Sequence, residues 1–143
     1  MRWVSAVLLA AVPLAAACSA AGFSGPPAAD VGTGADHFVT LHDGDAVPII
    51  MGLQGGYHVW GSVRAANVGS QNVTLRFSLF HGDETAPVTV RLDTVDLTGG
   101  EHLGSAVFLP DPSAVRGQPC RLHLDLTDEN GRTASAEHRI TPE

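Results

Sequence analysis

Apolar and polar residues alternate along several short stretches of the chain. Residues 73–79 and 120–126 each place an apolar side chain at every second position, with Thr, Arg, Ser, His or Asp between them. Successive side chains of a β-strand point to opposite faces, so a period of two predicts strands with one buried face. No stretch shows a helical period. The pattern therefore predicts an all-β protein.

Turn residues separate the predicted strands. Gly, Pro, Asn and Asp clusters divide the chain into roughly seven to eight short strands, the pattern typical of an antiparallel β-sandwich. Pro48 predicts an edge or a bulge in its strand, and Asn130-Gly131 predicts a hairpin. The predicted strands cover residues 38–41, 46–51, 57–66, 73–79, 88–92, 103–109, 120–126 and 132–140.

The last predicted hairpin, residues 122–136, contains Thr127-Asp128 and Gly131 in its turn. It resembles the final two strands of immunoglobulin-like domains in bacterial surface proteins. The resemblance implies that residues 36–143 form one antiparallel immunoglobulin-like β-sandwich.

The N-terminus has the features of an export signal. Arg2 precedes a mainly apolar stretch over residues 4–14, and small residues lead to Cys18. This stretch is shorter than the roughly 20 residues that a membrane-spanning helix needs, so it predicts a signal peptide.

Residues 14–18, Leu-Ala-Ala-Ala-Cys, resemble the lipobox of bacterial lipoproteins. That family normally places Leu three residues before the cysteine, whereas here Ala15 takes that position and Leu14 lies one residue earlier. The resemblance implies removal of residues 1–17 and a covalent lipid on Cys18, which anchors the chain in a membrane. Ser19, in place of Asp, implies sorting to the outer membrane of the bacterial envelope.

Residues 18–35 are rich in Gly, Ala and Ser and contain Pro26-Pro27, which predicts a lipidated cysteine followed by a flexible spacer. The folded domain is then expected at residues 36–143. The chain has two cysteines, and lipidation of Cys18 leaves Cys120 without a partner. The alternative is a Cys18–Cys120 disulfide in a soluble exported protein.

Composition excludes several classes of function. The 143 residues include 8 basic and 15 acidic side chains, with a net charge of −7, which disfavours binding to nucleic acid. The seven histidines include none of the close pairs typical of metal sites, and no nucleophile elbow or phosphate loop is present. The sequence therefore predicts no catalytic residue, no metal site and no cofactor other than the lipid.

The most unusual segment contains Tyr57, His58 and Trp60 after two glycines. Strand alternation turns Tyr57, Val59 and Val63 inward and presents His58, Trp60 and Arg64 outward as a binding patch. The alternative is that Trp60 is a core residue, like the buried tryptophan of immunoglobulin-like domains.

Together these features predict a non-enzymatic envelope lipoprotein that acts by contact with another envelope protein. The alternative is a periplasmic carrier of a small ligand or metal that uses the region of His58 and Trp60.

Overall fold

The computed structural model describes residues 22–143. The predicted signal peptide, residues 1–17, and Cys18 lie outside this range. The described part contains a 3-10 turn at Pro112–Ala114, no α-helix, and no helix suited to crossing a membrane, so the predicted all-β class is confirmed. The strands are β1 (Ala28–Thr33), β2 (Val39–Thr40), β3 (Asp45–Val47), β4 (Ile50–Met51), β5 (Tyr57–Ala66), β6 (Val73–His81), β7 (Thr89–Val95), β8 (Glu101–Leu109), β9 (Cys120–Thr127) and β10 (Thr133–Pro142).

Sheet A is built around β5. On one side β5 pairs with β8 along nearly its whole length. On the other side, the C-terminal half of β5 pairs with β1, and its first two residues pair with β4. The two-residue strand β2 extends the sheet beyond β1. All of these pairings are antiparallel.

Sheet B has the strand order β3-β10-β9-β6-β7. The pairs among β10, β9, β6 and β7 are antiparallel, and only β3 runs parallel to its neighbour β10. The hairpin predicted at Asn130-Gly131 joins β9 to β10. The alternating residues of β6 and β9 point their apolar side chains to the same face, where Phe77 is paired with Leu124.

The core lies between the inner faces of the two sheets. Phe77 is the largest fully buried side chain, and its ring lies against the backbone of Gly61 in β5. A Cβ atom at Gly61 would stand 2.8 Å from the nearest ring atom, so this close approach requires glycine. Cys120 is 1% exposed, which confirms it as a core residue. Burial raises the pKa of its thiol, which makes that group unreactive.

The predicted spacer contains a strand, so its boundary at residue 35 was wrong. Residues Ala28–Thr33 form β1, and Val31 is fully buried opposite Val63 of β5. Before β1, the guanidinium of Arg132 lies 4.3 Å from the centre of the Phe23 ring and donates to the Gly25 carbonyl at 2.8 Å. The composition was misleading because Gly32 serves close packing: a Cβ there would collide with the Val39 carbonyl and the Phe38 ring.

The single strand predicted at residues 46–51 is instead two strands in different sheets. β3 ends at Val47 in sheet B and β4 begins at Ile50 in sheet A, with Pro48 between them. Proline lacks the N–H that a continuous ladder needs, and here the chain crosses from one sheet to the other at that point.

Replacement of Val31 by Ala tests whether β1 belongs to the folded unit. Loss of two buried carbons is expected to lower the free energy of unfolding by about 2 kcal/mol. Val39→Ala in β2 is the matched control, since Val39 is exposed and its loss is expected to cost under about 0.5 kcal/mol. Urea unfolding measures both; equal, small effects would contradict the assignment of β1 to the core.

Candidate functional site

Strand β5 divides its side chains between the core and the outer face of sheet A. Val59 and Val63 are fully buried in the core, as predicted. A β-bulge interrupts the pairing with β8 between Gly61 and Val63, and Gly104 supplies the extra residue of β8 in a left-handed conformation (φ 72°). His58, Trp60, Ser62 and Arg64 follow one another along the opposite, outer face.

The outer face carries a crevice at the N-terminal end of β5. Ile50, His58 and Phe108 stand in one cross-strand row, and Trp60 and Ala106 stand in the next. The loop after β4, residues 52–55, closes one side. These residues line an open cavity of about 480 Å³, which we call the aromatic crevice.

His58 is buried in the wall of the aromatic crevice, contrary to the prediction that it points to solvent. It is 5% exposed, and its ring packs edge-on at 4.3 Å from Trp60 and 6.0 Å from Phe108, centre to centre. No group in residues 22–143 hydrogen-bonds to either ring nitrogen. An unpaired buried polar group of this kind costs about 1–3 kcal/mol.

Burial also determines the charge of His58. Withdrawal from water lowers the pKa of its imidazole below the ordinary value of 6.5. The side chains around it, Ile50, Trp60, Ala106 and Phe108, carry no charge. The ring is therefore neutral at physiological pH, with one nitrogen as donor and the other as acceptor.

Trp60 lies half-buried on the outer face, so it is not a core residue between the sheets. Trp60 lines the aromatic crevice and two further cavities, of about 450 and 260 Å³. Arg91 and Asp93 of β7 line the larger of these, and Pro48 and Val39 line the smaller. Trp60 thus stands between three depressions of the surface.

Arg64 does not join His58 and Trp60 in one patch. It lies six residues after His58, a separation of about 20 Å along a strand. Between them, Ser62 is fully buried and donates to the Gly34 carbonyl at 2.7 Å. The Arg64 guanidinium instead pairs with Glu101 at 2.7 Å and stacks 4.4 Å from the centre of the Phe38 ring.

Sequence reasoning missed the exposed apolar residues that surround the aromatic crevice. Leu53 is fully exposed, Met51 is 69% exposed and Phe108 is 50% exposed, and all three line the crevice. We call these three residues the apolar rim. Leu53 stands in a turn between glycines, which is a signal visible in the sequence, whereas Phe108 joins the rim only through the pairing of β8 with β5.

The outer face of sheet B has a different chemistry. His123 contacts Glu137 at 3.2 Å and Asp125 at 3.1 Å, and Arg121 pairs with Glu137 at 3.1 Å. Within residues 22–143, the His, Cys, Asp and Glu side chains form no group of three or more that could hold a metal ion. This face carries charge, while the outer face of sheet A at the aromatic crevice carries apolar surface.

Comparison of the chain with protein-family models, with curated proteins and with solved structures found no match.

His58 is expected to make the protein sensitive to mild acid. Because its pKa is lower in the folded state than in the unfolded chain, the associated stability is complete above about pH 6.5 and is lost as the pH falls through the folded pKa. In His58→Leu, the free energy of unfolding is expected to fall less between pH 7.5 and 5 than in the unaltered protein. Urea unfolding at the two pH values measures this difference.

His123→Leu is the matched control, because it removes a histidine from the charged face and leaves His58 in place. It is expected to retain the acid sensitivity that His58 confers. An identical loss of stability in the unaltered protein and in His58→Leu would contradict a neutral, buried His58.

Proposed function

We propose that the protein is a lipid-anchored lipoprotein of the bacterial envelope whose all-β domain is a non-enzymatic binding module for another envelope protein. The apolar rim is the observation that carries this proposal. Three large apolar side chains that line one crevice are exposed on a chain with a net charge of −7. Contiguous apolar surface bordered by polar residues is typical of protein-binding sites, and aromatic residues and Met are enriched in interfaces.

The order of the strands supports an immunoglobulin-like sandwich. Strands β1, β5 and β8 are neighbours in sheet A, and β6, β9 and β10 are neighbours in sheet B. This order corresponds to the A-B-E and C-F-G strands of that fold, with β7 beside β6 in the position of C′. In this correspondence Phe77 of β6, rather than Trp60, takes the place of the core tryptophan.

The position of Phe23 supports a short connection to the membrane. Phe23 follows Cys18 by five positions, and an extended chain over five Cα–Cα steps reaches about 17 Å. Phe23 is held by Arg132 next to Asn67, at the end of the domain where β5 finishes. Lipidation of Cys18 in the outer membrane, as the lipobox and Ser19 imply, places this end of the domain toward the lipid.

The same orientation places the apolar rim away from the membrane. Tyr57 begins β5 and Ala66 ends it, so the rim and the Phe23 end are separated by the length of a ten-residue strand. That length is about 30 Å. A partner protein that extends above the lipid surface then meets the rim first.

The lipid anchor is tested by intact mass of the protein extracted from bacterial membranes. We expect a chain that begins at Cys18 and carries a diacylglyceryl adduct, and we expect Cys18→Ser to abolish the adduct and release the protein from the membrane fraction. A mature chain with a mass deficit of two hydrogens would instead indicate the Cys18–Cys120 disulfide. A chain that still begins at Met1 and stays in the cytosol would contradict the whole envelope assignment.

The partner surface is tested by photo-crosslinking in intact cells from a reactive residue at position 51. We expect one discrete adduct with an envelope protein, and we expect Leu53→Glu to reduce it by at least about ten-fold, because a charge on the rim opposes desolvation. Met51 and Leu53 are both exposed, so the thermal midpoint of each altered protein is expected to stay within a few degrees of that of the unaltered protein.

Leu92→Glu is the matched control. Leu92 is 63% exposed and lies on β7 of sheet B, outside the rim. Its substitution is expected to leave the adduct intact. The absence of a discrete adduct, or its equal loss in both variants, would contradict the rim as the partner surface.

A further inference from the structure

We propose that the aromatic crevice is a binding site for a small uncharged molecule with an apolar body and one hydroxyl-type group that hydrogen-bonds to His58. The proposal rests on the volume of the crevice, on its uncharged lining and on the unpartnered imidazole in its wall. The test of this site is independent of the test of the partner surface, because binding of a small molecule is measured with the isolated protein.

The size and lining of the crevice define the body of the ligand. A cavity of about 480 Å³ lies within the range of about 300–1,000 Å³ that is typical of small-molecule sites. Ile50, Trp60, Ala106 and Phe108 supply apolar and aromatic surface, and Gln54 and His58 are the polar side chains of the lining. Among residues 22–143, no charged side chain lines the crevice, so an ion would lose its hydration without a compensating partner.

His58 defines the polar group of the ligand. Its ring is buried in the crevice wall, and neither nitrogen has a hydrogen-bonding partner among the described residues. Buried polar groups in proteins are almost always hydrogen-bonded. A neutral imidazole offers one donor and one acceptor, and a hydroxyl group matches either of them.

The edge of the sheet provides access to His58. Phe108 packs on the imidazole but is half exposed, and side chains at that exposure change rotamer on a fast timescale. Beyond it, Leu53 projects from a turn closed by the hydrogen bond from the Gly52 amide to the Gly56 carbonyl, and Gly55 and Gly56 both have positive φ. In the proposed complex, rotation of the Phe108 side chain opens the way to the imidazole, a change that leaves the backbone pairing of β5 with β8 in place.

The experiment uses a matched pair of probes with the full chain. 2-Naphthol has an apolar body and one hydroxyl, is uncharged at pH 7.5, and is compared with naphthalene, which lacks the hydroxyl. Amide NMR titration measures affinity and location together. We expect saturable 1:1 binding with shifts at residues 50–60 and 106–108, and a preference for 2-naphthol of roughly ten-fold.

Three variants separate the contributions. His58→Leu keeps the volume and the apolar lining, so it is expected to bind both probes equally. His58→Gln retains a donor and an acceptor, so it is expected to keep part of the preference for 2-naphthol. This variant also tests the role of His58 if His58→Leu does not fold. Ala106→Phe fills the crevice and is expected to abolish binding of both probes, while His123→Leu is expected to bind like the unaltered protein.

Two results would overturn the proposal. One is the absence of shifts in the crevice residues with 2-naphthol at millimolar concentration, which would mean that the crevice holds no such ligand. The other is an equal preference for 2-naphthol in the unaltered protein and in both His58 variants, which would mean that His58 does not contact the hydroxyl. Loss of the photo-crosslinked adduct has no bearing on either result.

Discussion

The contact between Gly61 and the Phe77 ring sets the spacing of the two sheets. The Phe77 ring is fully buried and lies against the backbone of β5, so β5 can carry no side chain at position 61. This contact directs Val59 and Val63 to the core, because alternate residues of a strand share one face. His58 and Trp60 are thereby forced to the outer face of sheet A, where two large rings must find cover outside the main core.

In sheet A these rings are covered by a short strand, a turn and one edge side chain. The two-residue strand β4, its glycine-rich turn and the edge residue Phe108 close over His58, but none of them offers a hydrogen bond to the imidazole. The result is a buried polar group without a partner, surrounded by exposed apolar side chains. Departures from the rules of stable packing concentrate at functional sites, and both departures meet at this end of β5. The outer face of sheet B also has a buried hydroxyl without a partner, that of Ser78, and exposed Val90 and Leu92, but its histidine and arginine side chains His123 and Arg121 have acidic partners.

Strands β5, β6, β8 and β9 were predicted to within two residues at each end. In β6 and β9 a clear period of two specifies the strand locally, whereas β5 and β8 were recognised from the turn residues that bound them. The sequence pattern gave wrong predictions where the tertiary structure requires a residue type that the local pattern disfavours. Residues 28–33 were assigned to a flexible spacer because this Gly-, Ala- and Ser-rich segment has few large apolar side chains to support a core, yet Gly32 is needed for close approach to Val39 and Phe38. Pro48 indicated an interruption but not that the chain changes sheets there.

The sequence by itself determined the all-β class, the inward faces of β5, β6 and β9 and the membership of Phe77 and Cys120 in the core, because alternation along one strand encodes which side is apolar. It also singled out His58 and Trp60 as neighbours on one face. Only the tertiary structure decided that His58 is enclosed, that Arg64 is separated from it by the buried Ser62, and that Phe108, Met51 and Leu53 surround the crevice. The physical reason is that periodicity specifies the face of a side chain, whereas its neighbours depend on which strands pair and in which register.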